Sequence, residues 1–134
     1  MKHLLTMLLL CLTALPALAQ TAASDRVEVV YFHGKQRCPT CLAIEKQTRE
    51  AVEKDLQAAR KQGRLALRVV DIGTAEGKRL ARDYRVTWSA LYVTGRKGGR
   101  EKRRDLTKFA FKNARNHPET FRKGLKAEVE KLLK

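Results

Sequence analysis

The sequence predicts a single α/β domain built around a central mixed sheet, in the order β-α-β-α-β-β-α. Three observations predict it. Val27–Phe32 is a β-branched and aromatic run broken only by Glu28, as a strand buried on both faces requires. A long segment follows with apolar residues at spacings of three and four. Shorter apolar runs and helical stretches then alternate, separated by glycine and charged turns. Residues 27–134 suit one hydrophobic core, and no repeat or linker divides them.

Each element has its own signal. After the first strand, His33 to Arg37 makes a turn, Cys38 can cap a helix, and Pro39 takes the first helical position, where its missing N–H costs nothing. That helix should run to about Gln62, with Cys41, Ile44, Thr48, Val52, Leu56 and Ala59 on one face, and end at Gly63. Leu65 to Ile72 reads as the second strand. Thr74 can cap a short helix through Tyr84, with Leu80, Ala81 and Tyr84 inward and Gly77 weakening it. Ser89 to Thr94 is the third strand, Gly95 to Gly99 a turn, and Arg100 to Leu106 an edge strand. Helices over Thr107–Arg115 and Pro118–Leu133 finish the chain, the last with a stripe of Phe121, Leu125, Val129 and Leu132.

Residues 1–19 have the pattern of a cleavable signal peptide. Lys2 and His3 precede the apolar Leu4–Leu15, and Ala17-Leu18-Ala19 places small residues where a signal peptidase reads them. The apolar run is short for a membrane span. Cleavage before Gln20 would remove Cys11 and leave residues 20–26 as a flexible lead-in. A periplasmic location is expected, with secretion as the alternative.

The chain carries a net charge of +15, with its densest basic stretch at Arg96–Arg104. That stretch reads as a solvated hairpin that discourages edge pairing, or as a surface for an anionic membrane or acidic partner. Nucleic acid is not expected, because no aromatic residues interleave with the basic ones.

Cys38-Pro39-Thr40-Cys41 carries the chemistry. Two thiols one helical turn apart can form and break a disulfide without moving the backbone. The positive end of the helix, with Lys35 and Arg37 beside it, favours the Cys38 thiolate, whereas Cys41 lies on the apolar face. A purely structural disulfide closing so short a loop would constrain little of the unfolded chain. A CxxC is also half of a four-ligand zinc site. Cys38 and Cys41 with His33 form that alternative, a zinc or copper site in a non-catalytic carrier or docking subunit, with His117 as the more distant imidazole.

The element order with a CxxC between first strand and first helix resembles the thioredoxin fold. Within that superfamily, Tyr31-Phe32-His33-Gly34, Gln36-Arg37-Cys38-Pro39-Thr40-Cys41 and Leu106–Arg115 are similar to the nitrophenyl compound nitroreductase subunit ArsF family. The resemblance implies Cys38 as attacking and Cys41 as resolving thiol. With the signal-like leader, the expected protein is an exported thiol–disulfide oxidoreductase or electron-transfer protein that exchanges electrons with a protein thiol/disulfide partner such as a membrane redox protein. No flavin or nicotinamide fingerprint is visible, so no cofactor is expected.

The sequence also departs from the fold's redox enzymes. The cis-proline expected before the third strand is absent, and Ser89 or Ala90 stands in its place in Val86–Leu91. A cis bond without proline would cost ~3 kcal/mol, so a trans loop is expected. The usual buried acid of the first strand is replaced by Phe32, leaving Glu28 and His33 as candidate proton carriers. Trp88, Ser89 and Ala90 are candidates for a substrate groove.

Overall fold

The computed structural model describes residues 25–134; the expected signal peptide and most of the lead-in lie outside the described residues. A four-stranded mixed sheet has the order β2-β1-β3-β4. Its strands are β1 (Arg26–His33), β2 (Leu65–Asp71), β3 (Ala90–Lys97) and β4 (Arg100–Asp105). The helices are α1 (Pro39–Glu50), α2 (Gln57–Lys61), α3 (Ala75–Tyr84), α4 (Thr107–Asn113) and α5 (Pro118–Leu133). β1 runs parallel to β2 and antiparallel to β3, and β3 pairs antiparallel with β4. With helices on both faces and the CxxC at the first strand–helix junction, this is a thioredoxin-like arrangement.

β1 sits between two cores. Side chains alternate across a strand, so Val27, Val29 and Tyr31 face one way and pack with Ile44, Val52, Leu91, Phe121, Leu125 and Val129. Val30 and Phe32 face the other way and pack with Val70, Ala81, Tyr84 and Ala90. Every residue from Val27 to Phe32 is buried, which is why the run lacks the polar alternation of a half-exposed strand. Leu132 closes the α5 stripe from a partly buried position against the first core.

The expected first helix is interrupted. Ala51–Asp55 forms a π-helical turn, and Leu56 N–H reaches back to Ala51 O at 2.9 Å. The inward positions Ile44, Thr48, Val52 and Leu56 are spaced by four, and each such step overshoots an α-helical stripe by about 40°. The wider turn absorbs that drift and buries all four. It also presents Asp55 to Arg122 on α5, joined by hydrogen bonds of 2.6 and 2.7 Å.

Gly77, which the sequence marks as a weakness of α3, is a packing requirement. A Cβ there would lie 1.8 Å from the Asp71 carbonyl oxygen and 2.8 Å from Thr74 Oγ1. Thr74 caps the helix by accepting the Gly77 N–H at 2.9 Å, so the helix start is pressed against the end of β2. The expected turn at Gly95–Gly99 is tighter than its sequence range. Gly95 lies within β3 against Leu132, and the reversal is made by Gly98 and Gly99, both at positive φ (57° and 74°).

Substituting Gly77→Ala should destabilise the domain by about 1–3 kcal/mol, the usual cost of forcing extra atoms into a packed site. Urea unfolding measures it. A gain of about 1 kcal/mol, as at an open helical glycine, would show that α3 is not seated on Asp71.

Candidate functional site

The Cys38–Cys41 pair lies where β1 delivers the chain to α1. Cys38 is the N-cap, with extended backbone (φ −71°, ψ 159°), and its Sγ accepts the Cys41 N–H at 3.0 Å. Pro39 occupies the first turn as expected. The two cysteines are joined as a disulfide with Cα atoms 5.0 Å apart. They differ in access: Cys38 is exposed, whereas Cys41 is 4% exposed.

Cys41 lies on the inward face of α1, as its spacing predicts, and a contact that the sequence alone does not reveal holds it there. The fully buried Tyr31 donates its hydroxyl hydrogen to the Cys41 carbonyl oxygen at 2.9 Å, tying the first turn of α1 to β1. Burial raises the Tyr31 hydroxyl above the ordinary phenol value, while Arg37 and Ser89 pull it back down. Arg37 forms an ion pair with Glu45, which also accepts from Arg49 at 2.8 and 3.0 Å. Burial alone would raise the Glu45 carboxyl, but hydrogen bonds and charge from Arg37 and Arg49 outweigh it and hold it below its usual value.

A cleft of about 480 Å³ opens beside the disulfide, lined by Gly34, Gln36, Arg37, Cys38, Cys41, Ile72, Thr87, Trp88 and Ser89. Trp88, 67% exposed, stands on its rim and takes no part in the core. Ser89 is buried, and its hydroxyl lies 3.7 Å from Cys41 Sγ. Ala90 is buried as the first residue of β3 and packs in the second core, so it does not line the cleft. No peptide bond among the described residues is cis, in keeping with the trans loop expected before β3.

Neither of the two candidate proton carriers lines the cleft. Glu28 lies on the same sheet face as Val30 and Phe32, opposite to Tyr31 and α1, and is enclosed by Arg26 (2.5 Å) and Arg96 (3.2 Å). Strand rise alone puts it about 16 Å from the end of β1. Its burial is that of a charge neutralised by two guanidinium groups. His33 is half-buried, its Nδ1 3.0 Å from the Gly34 carbonyl oxygen and its ring tilted against Tyr31. No group of three or more His, Cys, Asp or Glu side chains able to hold a metal occurs among the described residues, so the geometry does not assemble Cys38, Cys41 and His33 as a ligand set.

Much of the basic stretch is engaged internally. Arg96 pairs with Glu28 and Glu101, Arg103 with Asp83 and Glu101, and Arg104 with Glu128. Arg103 also lies over the Tyr84 ring at 3.8 Å. Arg100 and Lys102 make no ion pair among the described residues.

No protein-family model and no curated protein matches the chain. Among solved structures it is similar to a thioredoxin from Thermus thermophilus, with 25% identity, a TM-score of 0.48, and coverage of 75% of this chain and 74% of the other. It is also similar to a malarial protein at 20% identity and a TM-score of 0.43, covering 74% and 96% respectively.

The Glu45 carboxyl is depressed in the folded chain and ordinary in the unfolded one. Its contribution is therefore complete above the unfolded carboxylate value and disappears as pH falls through the folded one. Glu45→Gln should cost about 1 kcal/mol at neutral pH, as for a partly screened charge network. Urea unfolding at neutral and acidic pH should show the gap between variant and parent closing in acid; an unchanged gap would rule out the ion pairs as its source.

Proposed function

We propose that the protein is an exported thiol–disulfide oxidoreductase or electron-transfer protein working through Cys38 and Cys41. The observation that carries this reading is the asymmetry of the pair. An exposed sulfur caps a helix and receives a backbone N–H, and a buried sulfur waits one turn behind it at the wall of an open cleft. Hydrogen bonding and the helix terminus both favour negative charge on Cys38.

The cycle conserves atoms and electrons. The Cys38 thiolate attacks a partner disulfide, forming one S–S bond and releasing one partner thiolate, which takes a proton from water. Cys41, having lost its proton, then attacks Cys38 Sγ. The Cys38–Cys41 bond forms, the second partner sulfur leaves, and the partner has gained the two electrons the protein gave up. Run backwards, the same steps oxidise a partner dithiol. The exposed Trp88 and Leu42 (67% and 51%) flank the pair and supply apolar ground for a partner chain.

The export setting rests on the signal-like residues 1–19, and with it a periplasmic or membrane redox partner. Arg100 and Lys102 on the hairpin are the part of the basic stretch left to meet an anionic surface. Kinship with the ArsF-type nitroreductase subunits rests on Tyr31–Gly34, Gln36–Cys41 and Leu106–Arg115, which here form the end of β1, the start of α1, and α4. Nitro-group reduction is no part of the proposal, since these segments supply thiols and no flavin-binding pattern.

Replacing Cys41→Ser should trap a mixed disulfide through Cys38 in the compartment where the protein resides. The adduct should dissolve on reduction and be absent from the variant that also lacks Cys38. A Cys41→Ser protein that captures no thiol partner there would overturn the redox reading.

A further inference from the structure

The resolving thiol of this site lacks the buried acid that could manage its proton. Phe32 occupies the position expected for it, Glu28 faces the opposite side of the sheet within two arginines, and His33 bonds back to its own loop. Yet Cys41 must ionise in order to attack, and burial penalises a thiolate. One buried hydroxyl points at its sulfur: Ser89 Oγ, 3.7 Å from Cys41 Sγ, within reach for a donor to sulfur. We propose that Ser89 is a catalytic residue of this pair, donating its hydroxyl hydrogen to the Cys41 thiolate in the resolving step. This rests on the redox reading above.

The surroundings hold both partners in place. Tyr31 fixes the Cys41 main chain from β1 at 2.9 Å, and Ser89 leads into β3, the antiparallel neighbour of β1. Cys41 is bonded to Cys38, its carbonyl accepts from Tyr31 on β1, and it shares the cleft wall with Arg37, whose guanidinium is paired with Glu45 on α1. No free carboxylate is among them to take the proton. Cys41 and Ser89 both line the cleft, so the thiol proton leaves to water there. The hydroxyl retains its own proton and shares it with the sulfur as a hydrogen bond. The thiolate then displaces the partner sulfur from Cys38, and the departing thiolate is protonated from solvent.

The test isolates Cys41 as the single thiol in the Cys11→Ser, Cys38→Ser protein. Thiolate ultraviolet absorbance and iodoacetamide alkylation are followed against pH, with and without Ser89→Ala. Loss of a hydrogen bond to a charged group predicts a titration midpoint displaced upward and alkylation at neutral pH slowed about tenfold. Ser89→Thr, which keeps the hydroxyl, should restore both. A midpoint unmoved by Ser89→Ala in a protein with unchanged thermal unfolding would overturn the proposal. The two-cysteine protein is assayed separately for reduction of a disulfide substrate. If it exchanges normally while the Ser89→Ala midpoint is unmoved, only the serine's role falls. If it does not exchange at all, the redox reading itself falls.

Discussion

The rest of the structure depends on β1 being buried on both faces at once. A strand in that position must be apolar on both sides, must have paired neighbours along both edges, and must have helices above and below. Val27–Phe32 meets the first demand, pairing with β2 and β3 meets the second, and α1 with α5 opposite α3 meets the third. Once β1 is fixed, its carboxyl end defines where α1 can start. The cysteines therefore lie at a helix terminus that the core positions, and Tyr31 adds the hydrogen bond that draws the first turn down.

That placement makes two chemically identical residues unequal. Cys38 stands at the cap, open to solvent and close to backbone donors, while Cys41 is one turn along on the face pressed to the sheet. The difference arises from helix periodicity and needs no special residue. What surrounds the pair is more particular to this chain. A tyrosine, an arginine–glutamate pair and a serine stand beside it, so polarity near the buried sulfur comes from hydroxyl groups and a neutralised ion pair.

The strong positive charge of the chain is spent in more than one way. Arg96 neutralises the buried Glu28, which would otherwise be a costly isolated charge inside the sheet. Arg103 covers the Tyr84 ring and reaches Asp83, and Arg122 ties α5 to the π-helical turn through Asp55. Residues that look in the sequence like one uniform basic surface therefore include structural ties between elements.

The sequence by itself determined the fold class, the element order and the cysteine pair that forms the disulfide. These are set by local pattern: strand-like runs, helical spacing, the cap at Cys38 and the proline after it. It also placed the inward stripe Cys41, Ile44, Thr48, Val52, Leu56 and Ala59, though not the π-helical turn by which all of them stay inward. Only the tertiary structure decided which polar residues meet. Glu28 and His33 are near Cys38 in sequence, yet strand alternation turns one to the far face and a loop contact occupies the other. Ser89 is 48 residues from Cys41, yet β3 pairing beside β1 brings its hydroxyl to the sulfur. Local periodicity is written along the chain, whereas contacts across a sheet depend on how distant strands align.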